Sequence, residues 1–149
     1  MSCTVSALYC DDIRIEQGGK TTIVGVYGPH LIVPSFPARL SKFCIYGLLV
    51  VPIGTEISGP STIRILSQTA QSETEKVLSE MPFAFNDIAR AGQKDLFPIV
   101  GNPKFLRGTF NLIFGGLEFN EPTALRVIAL INGEELRTPG ISIVAQPAE

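Results

Sequence analysis

The sequence predicts an all-β chain, an antiparallel β-sandwich of about eight short strands, with a closed β-barrel as the alternative. Two observations carry that prediction. Runs of branched and aromatic residues recur at short, turn-like spacings, and paired glycines and an Asn-Gly dipeptide punctuate them. No internal repeat, heptad or low-complexity tract competes with this pattern. At 149 residues the chain fits a single domain, residues 1–149. A domain of that size hides roughly 70% of its unfolded surface, enough for a core without metals or disulfides.

The first element is the stretch ALYCDDIRIEQGGKTTIVGVYG, Ala7 to Gly28, in which two β-rich arms flank Gly18 and Gly19. Paired glycines supply the positive φ that a tight hairpin loop needs. If the loop is Gln17 to Gly19, Glu16 faces Lys20, Ile13 faces Ile23 and Asp11 faces Gly25. If only the two glycines turn, Gln17 faces Lys20 and Asp12 faces Gly25. Either register sets an aspartate across from a glycine, where the missing side chain leaves room for a carboxylate to fold over.

Gly28 to Leu40 contains Pro29, Pro34 and Pro37, which deny ladder donors and favour an extended crossover between sheets. Lys42 to Pro52 is continuously apolar and reads as a central strand covered on both faces. Ser61 to Gln68 sets Ile63 and Ile65 against Thr62, Arg64 and Leu66, the alternation of a half-buried strand. Ser72 to Glu80 carries a capping-box pattern in Ser72 and Glu75 and predicts one short helix within 72–92, with a strand as the alternative. Beyond it, a strand at Phe83 to Phe85 and a helical turn begun by Asn86 or Asp87 and stopped at Gly92 are the local readings. Phe105 to Phe114 predicts a strand, Asn132-Gly133 predicts a hairpin, and Gly140 to Pro147 adds a last strand.

Composition sets the surface. Hydrophobic residues make up 45%, the mean hydropathy is +0.28 and charged residues are only 17%, below the globular average of about 25%. Such scarcity implies sheet faces buried almost completely, or an apolar patch covered by another protein or by a further copy of the chain. The net charge is −2 and the 12 Lys and Arg residues are scattered singly, which excludes the cationic stripe that duplex nucleic acid requires. Three cysteines, Cys3, Cys10 and Cys44, match no metal or redox spacing, and a reducing cytoplasm fits them. The opening residues lack the pattern of a secretory leader, and the uncharged run Phe43 to Thr55 is too short for a bilayer, so the expected location is cytoplasmic with no membrane partner.

Four residues stand out as a candidate ligand-binding site: Asp11, Asp12, Arg14 and His30. Alternation puts Asp12 and Arg14 on one strand face and Asp11 on the other. In the functional reading, one carboxylate holds a cation or polarises a ligand while Arg14 grips a small anion. In the structural reading, Asp12 and Arg14 form an ion pair, and Asp11 ties down a bulge or a loop through backbone N–H groups. His30 is the only histidine, which excludes a multi-histidine metal centre. It could in principle activate Ser35, Ser41, Cys44 or Cys10, yet no nucleophile elbow or cysteine-protease signature surrounds any of them. The glycine sets GPSTIR, GNPKFLRG and FGGLEF match no phosphate loop and read as turns. Glu118, Glu121, Asp87 and Asp95 lack the spacing of a calcium loop. Cys10 and Cys44, on apolar strands, read as small core residues. No catalytic residue, metal or cofactor is indicated.

With those residues in view, the CDD-I-R strand, the Gly-Lys hairpin and the G-V-Y exit, followed by IVPSFPARLSKFCIY, resemble a family of small uncharacterised bacterial and phage proteins. The likeness covers about the first 50 residues. It implies a prokaryotic or phage origin and a compact β-sandwich, and it assigns no activity to Asp11, Asp12, Arg14, Lys20 or Tyr27. The leading expectation is a non-enzymatic interaction or assembly module that binds another protein or itself as a homo-oligomer. The alternative is a protein that binds or sequesters a nucleotide or metabolite on the Asp12 and Arg14 face or at a subunit junction. A carboxylate-dependent hydrolase ranks third, because alternation separates Asp11 from Asp12.

Overall fold

The structure, a computed structural model, describes residues 2–83 and 105–149. These residues form ten strands: β1 (Thr4–Ile15), β2 (Thr21–Val26), β3 (His30–Val33), β4 (Ala38–Pro52), β5 (Ser61–Thr69), β6 (Lys76–Phe83), β7 (Phe105–Phe119), β8 (Thr123–Ile131), β9 (Glu134–Arg137) and β10 (Ile141–Ala145). They build the expected β-sandwich rather than a closed barrel. One sheet runs β2-β1-β4-β7, and the other runs β3-β10-β8-β5-β6 with β9 paired to the far end of β8. Every pair is antiparallel except β3 with β10, which is parallel and makes the second sheet mixed.

The first hairpin adopts the three-residue loop. Gly18 and Gly19 take φ of 79° and 77°, the Glu16 amide donates to the Lys20 carbonyl at 2.7 Å, and Ile13 stands opposite Ile23. The proline-broken segment then crosses to the second sheet as β3 and returns to the first as β4.

Strand β4 lies between β1 and β7, and its odd-numbered members Phe43, Ile45, Leu49 and Val51 enter the core. Its even-numbered residues Tyr46, Leu48 and Val50 are only half-buried, so the expectation of cover on both faces is corrected: the outer side of this strand is apolar but partly open. Gly47 sits opposite Phe110 of β7, and an added Cβ would fall 1.9 Å from the phenyl ring. Across the sandwich, Ile63 and Ile65 of β5, Leu125 and Val127 of β8, and Ile141 and Ile143 of β10 meet Tyr9, Phe43 and Ile45 in one core. Each such side chain, fully buried, contributes about 1.5–3 kcal/mol.

Two local predictions are overturned. The segment from Ser72 to Glu80 holds no helix: after a turn it becomes β6, paired to β5. Ser72 Oγ accepts from the Thr74 amide at 3.2 Å, closing its own turn instead of a capping box, and Glu75 is drawn away to Arg137. A bulge between Ile65 and Leu66 on the β6 side accompanies the burial of Leu66, which alternation had set on the exposed face with Arg64. The FGGLEF turn is also corrected. Gly115 and Gly116 lie inside β7, and the φ of 75° at Gly116 leaves space that the Arg39 guanidinium covers. The expected helical turn at Asn86 or Asp87, its stop at Gly92 and the carboxylates Asp87 and Asp95 lie outside the described residues, as does the expected strand beyond Phe83.

The Asn132-Gly133 hairpin forms as predicted between β8 and β9, with φ of 52° and 73°, the paired positive values of a type I′ turn. The Asn132 side chain also donates to the Glu56 carbonyl at 2.7 Å and accepts from the Ser58 amide at 2.8 Å. That anchors the loop between β4 and β5.

Candidate functional site

The two aspartates lie where β1 leaves β4. The ladder between these strands reaches Cys10 opposite Cys44, and past that point β1 continues with β2 alone. Cys10 and Ile13 nevertheless share one small buried cluster with Cys44, bordered by Ile23 and Tyr46. Residues three apart on a flat strand point to opposite faces. The strand therefore coils between Cys10 and Ile13, at Asp11 and Asp12.

Each aspartate takes a different partner. Asp11 Oδ1 accepts the Tyr27 hydroxyl, and its carboxylate lies over Gly25, whose φ of +67° puts a hypothetical Cβ 2.2 Å from Oδ2. Burial, and after it the hydrogen bond to Asp11, pushes the Tyr27 phenol up to about 12. Asp12 holds Lys42 of β4 and, at 3.1 Å, Arg14 Nε, while its Oδ1 also accepts the Ile13 amide at 2.9 Å. The hydrogen bond from Lys42, then that from Arg14, holds the Asp12 carboxyl below its ordinary value. Both carboxylates are thus engaged by side chains of the same sheet, and they fasten the coiled end of the hairpin.

Beneath them, Cys44 Sγ lies 3.6 Å from the Asp11 carbonyl, and both Cys10 and Cys44 are fully buried. Burial pushes the Cys10 thiol up to about 11, and it raises Cys44 as well. These are packed thiols, not poised nucleophiles.

The structure separates His30 from the other three predicted site residues. It opens β3 in the second sheet, exposed, with Ser142 of β10 as its ladder partner. Lys42 and Tyr27 are the site residues that sequence reasoning passed over. A lone lysine at the head of the apolar run of β4 was the available signal for the first. The Tyr27–Asp11 bond follows from the three-residue-loop register, which sets Asp11 next to the strand end carrying Tyr27.

Around this anchored hairpin the outer face of the first sheet carries an apolar row. Val26, Cys10, Cys44 and Ile113 are consecutive ladder partners across its four strands. Val26 is 52% exposed, Ile113 59% and Leu8, one row along, 45%. Strand β2, at the sheet edge, reads TTIVGV and carries neither charge nor proline. The other edge strands differ: β6 holds Lys76, Glu80 and Pro82, β3 has four residues between Pro29 and Pro34, and β7 holds Arg107 and Glu118. Such charges and prolines are the usual protection of a sheet edge against pairing.

Among the described residues no group of three or more His, Cys, Asp or Glu side chains could hold a metal ion, and no helix is long and apolar enough to cross a membrane. A comparison with curated proteins finds no match. The comparison with protein families does find one, spanning residues 5–144, nearly the whole chain and both sheets of the sandwich. On that match, the chain belongs to DUF6941, a family of unknown function.

Proposed function

We propose that this chain is a non-enzymatic interaction and assembly module that pairs with a second copy of itself through the β2 edge and the adjoining outer face of the first sheet. The observation that carries this reading is the contrast between edges: among the four in the described residues, β6 and β7 carry charges and β3 is only four residues held between Pro29 and Pro34, whereas β2 runs for six residues with neither charge nor proline, and its Val24 and Val26 are exposed beside the apolar row. Two such edges meeting antiparallel about a two-fold axis extend the sheet and cover the same patch on both copies. The Asp12, Lys42 and Arg14 group borders the patch as a polar rim. The scarcity of charge in the sequence supports the same reading.

Native mass spectrometry and light scattering test it. The wild type is expected as a dimer, and Val24→Lys, which places a charge on the edge strand, as a folded monomer. A wild type that stays monomeric at the highest soluble concentration overturns the reading, as does a Val24→Lys protein that remains dimeric.

A further inference from the structure

The outer face of the second sheet carries a polar row that local sequence does not reveal. His30, Ser142, Ala124 and Gln68 are successive ladder partners across β3, β10, β8 and β5. In the next row Leu66 stands opposite Arg126, and Gly140 lies beside them, so close to β8 that an added Cβ would meet the Leu125 carbonyl oxygen at 2.6 Å. A small residue at 124 and no side chain at 140 leave a hollow of about 160 Å³, lined by Leu66, Gln68, Glu75, Ala124, Arg126 and Ser142 among others. It shares Gln68, Ala124 and Ser142 with a wider groove of about 590 Å³ that runs on towards Glu73 and Val144.

Arg126 is the unsatisfied member of this group. Its nearest carboxylate oxygen, on Glu75, is 3.9 Å from Nη1, too far for a hydrogen bond. Its Nε is shut off from solvent without a partner among the described residues. Glu75 does not supply the missing bond, because both of its oxygens accept from Arg137 Nη2. Glu75 and Glu135 are both held by Arg137, so among the described residues Arg126 has no hydrogen-bonded carboxylate at this end of the hollow, and its Nη groups remain as charged donors for a bound acceptor. Gln68 spends its amide on the Ser72 carbonyl at 3.1 Å, which leaves its oxygen as an acceptor. Farther along, Glu73 offers another acceptor and keeps a second anionic group out.

We infer that this hollow is a binding site for a small metabolite with a single oxyanion group, carboxylate or phosphate, seated on Arg126, and with hydroxyl or amine donors lying along the groove towards Gln68 and Glu73. The guanidinium fork matches either oxyanion. The hollow holds such a group, and the wider groove holds the remainder of a small ligand. This site is on the opposite sheet from the proposed dimer edge and stands or falls independently of it.

The test is titration of the wild type with sodium phosphate and, separately, sodium lactate, with ionic strength held constant by sodium chloride. Melting temperature and amide resonances are followed. At least one probe is expected to raise the melting temperature saturably, as a ligand of the folded state must, and to move the resonances of Ala124, Arg126 and Ser142. Saturation by phosphate alone assigns a phosphate ester, by lactate alone a carboxylate; saturation by both supports the oxyanion site without dividing the two. Arg126→Gln is expected to weaken binding by at least about tenfold, the loss of a charge-assisted hydrogen bond. Ala124→Leu, at an exposed position, fills the hollow with every charge retained and is expected to abolish binding. It serves as the measurement if Arg126→Gln does not fold. No saturable shift with either probe, resonance changes confined elsewhere, or wild-type affinity in Ala124→Leu overturns the assignment.

Discussion

The carboxylate of Asp11 occupies the space that a side chain at residue 25 would need, with Oδ2 only 2.2 Å from the position of a Cβ on Gly25. Gly25→Ala therefore meets two penalties, the positive φ of +67° and displacement of Asp11 from Tyr27. An alanine held in that region costs about 1–2 kcal/mol, and the lost hydrogen bond adds roughly 1 kcal/mol. Urea unfolding should show a lower midpoint with an unchanged slope, and Asp11→Ala combined with Gly25→Ala should recover part of the loss.

The phenol of Tyr27 predicts an alkaline limit to stability. Its folded pKa is pushed up to about 12 from an ordinary 10.0, so the folded state favours the protonated form. The contribution is present in full below pH 10 and is lost as pH rises through 12. Tyr27→Phe should flatten that decline in denaturant titrations between pH 9 and 12, and tyrosinate absorbance of the native wild type should show Tyr27 and the buried Tyr9 titrating late, with the Tyr27 component lost in the variant.

Asp12 works in the opposite direction. Lys42 and Arg14 depress its folded pKa, so its contribution is present above the unfolded value and disappears as pH falls through the folded one. Asp12→Asn should make stability less dependent on pH in the acid range, and added salt should shrink the difference between the two proteins. An identical acid profile for both would show that the pair does not couple to folding.

Gly47 predicts a packing clash. Alanine there would place its Cβ 1.9 Å from the Phe110 ring in a central strand, and overpacking of this kind costs about 1–3 kcal/mol. Phe110→Leu should be destabilising alone yet relieve part of the defect in the double variant, a coupling that a double-mutant cycle measures.

Thiol labelling should divide the cysteines. Cys10 and Cys44 are fully buried, with Cys10 pushed up to about 11, while Cys3 is half-buried. At pH 8 the native protein should label fastest at Cys3, and the other two should react only at the rate of unfolding.

What could be read from sequence was local. The hairpin at Gly18 and Gly19, the Asn132-Gly133 turn and the alternation of Ile63 and Ile65 each follow from a few adjacent residues whose backbone needs or burial period are plain, although the sequence left the hairpin between two registers that only the fold decides. The helix expected at Ser72 to Glu80 failed because Glu75 belongs to Arg137, 62 residues away, and no local rule sees that partner. Gly115 and Gly116 resembled a turn because glycine signals both reversal and close approach, and only the fold shows Arg39 lying over Gly116. Asp12 and Arg14 were correctly placed on one face, whereas Lys42 joins them from another strand. The row from His30 to Gln68 escaped notice altogether, since its four members come from four strands and its depth depends on residues that are small.

Among the described residues strand β3 has one ladder partner, β10, and the two are more than a hundred residues apart in the chain. During synthesis the segment after the first hairpin therefore waits, its Leu31 and Val33 without a sheet to join, until residues 141–145 have left the ribosome. Closing so long a loop carries a large entropy cost before any contact compensates it. Refolding should consequently be slow for a chain of this size, with the interval before β10 docks the time of greatest exposure to chaperones and to aggregation.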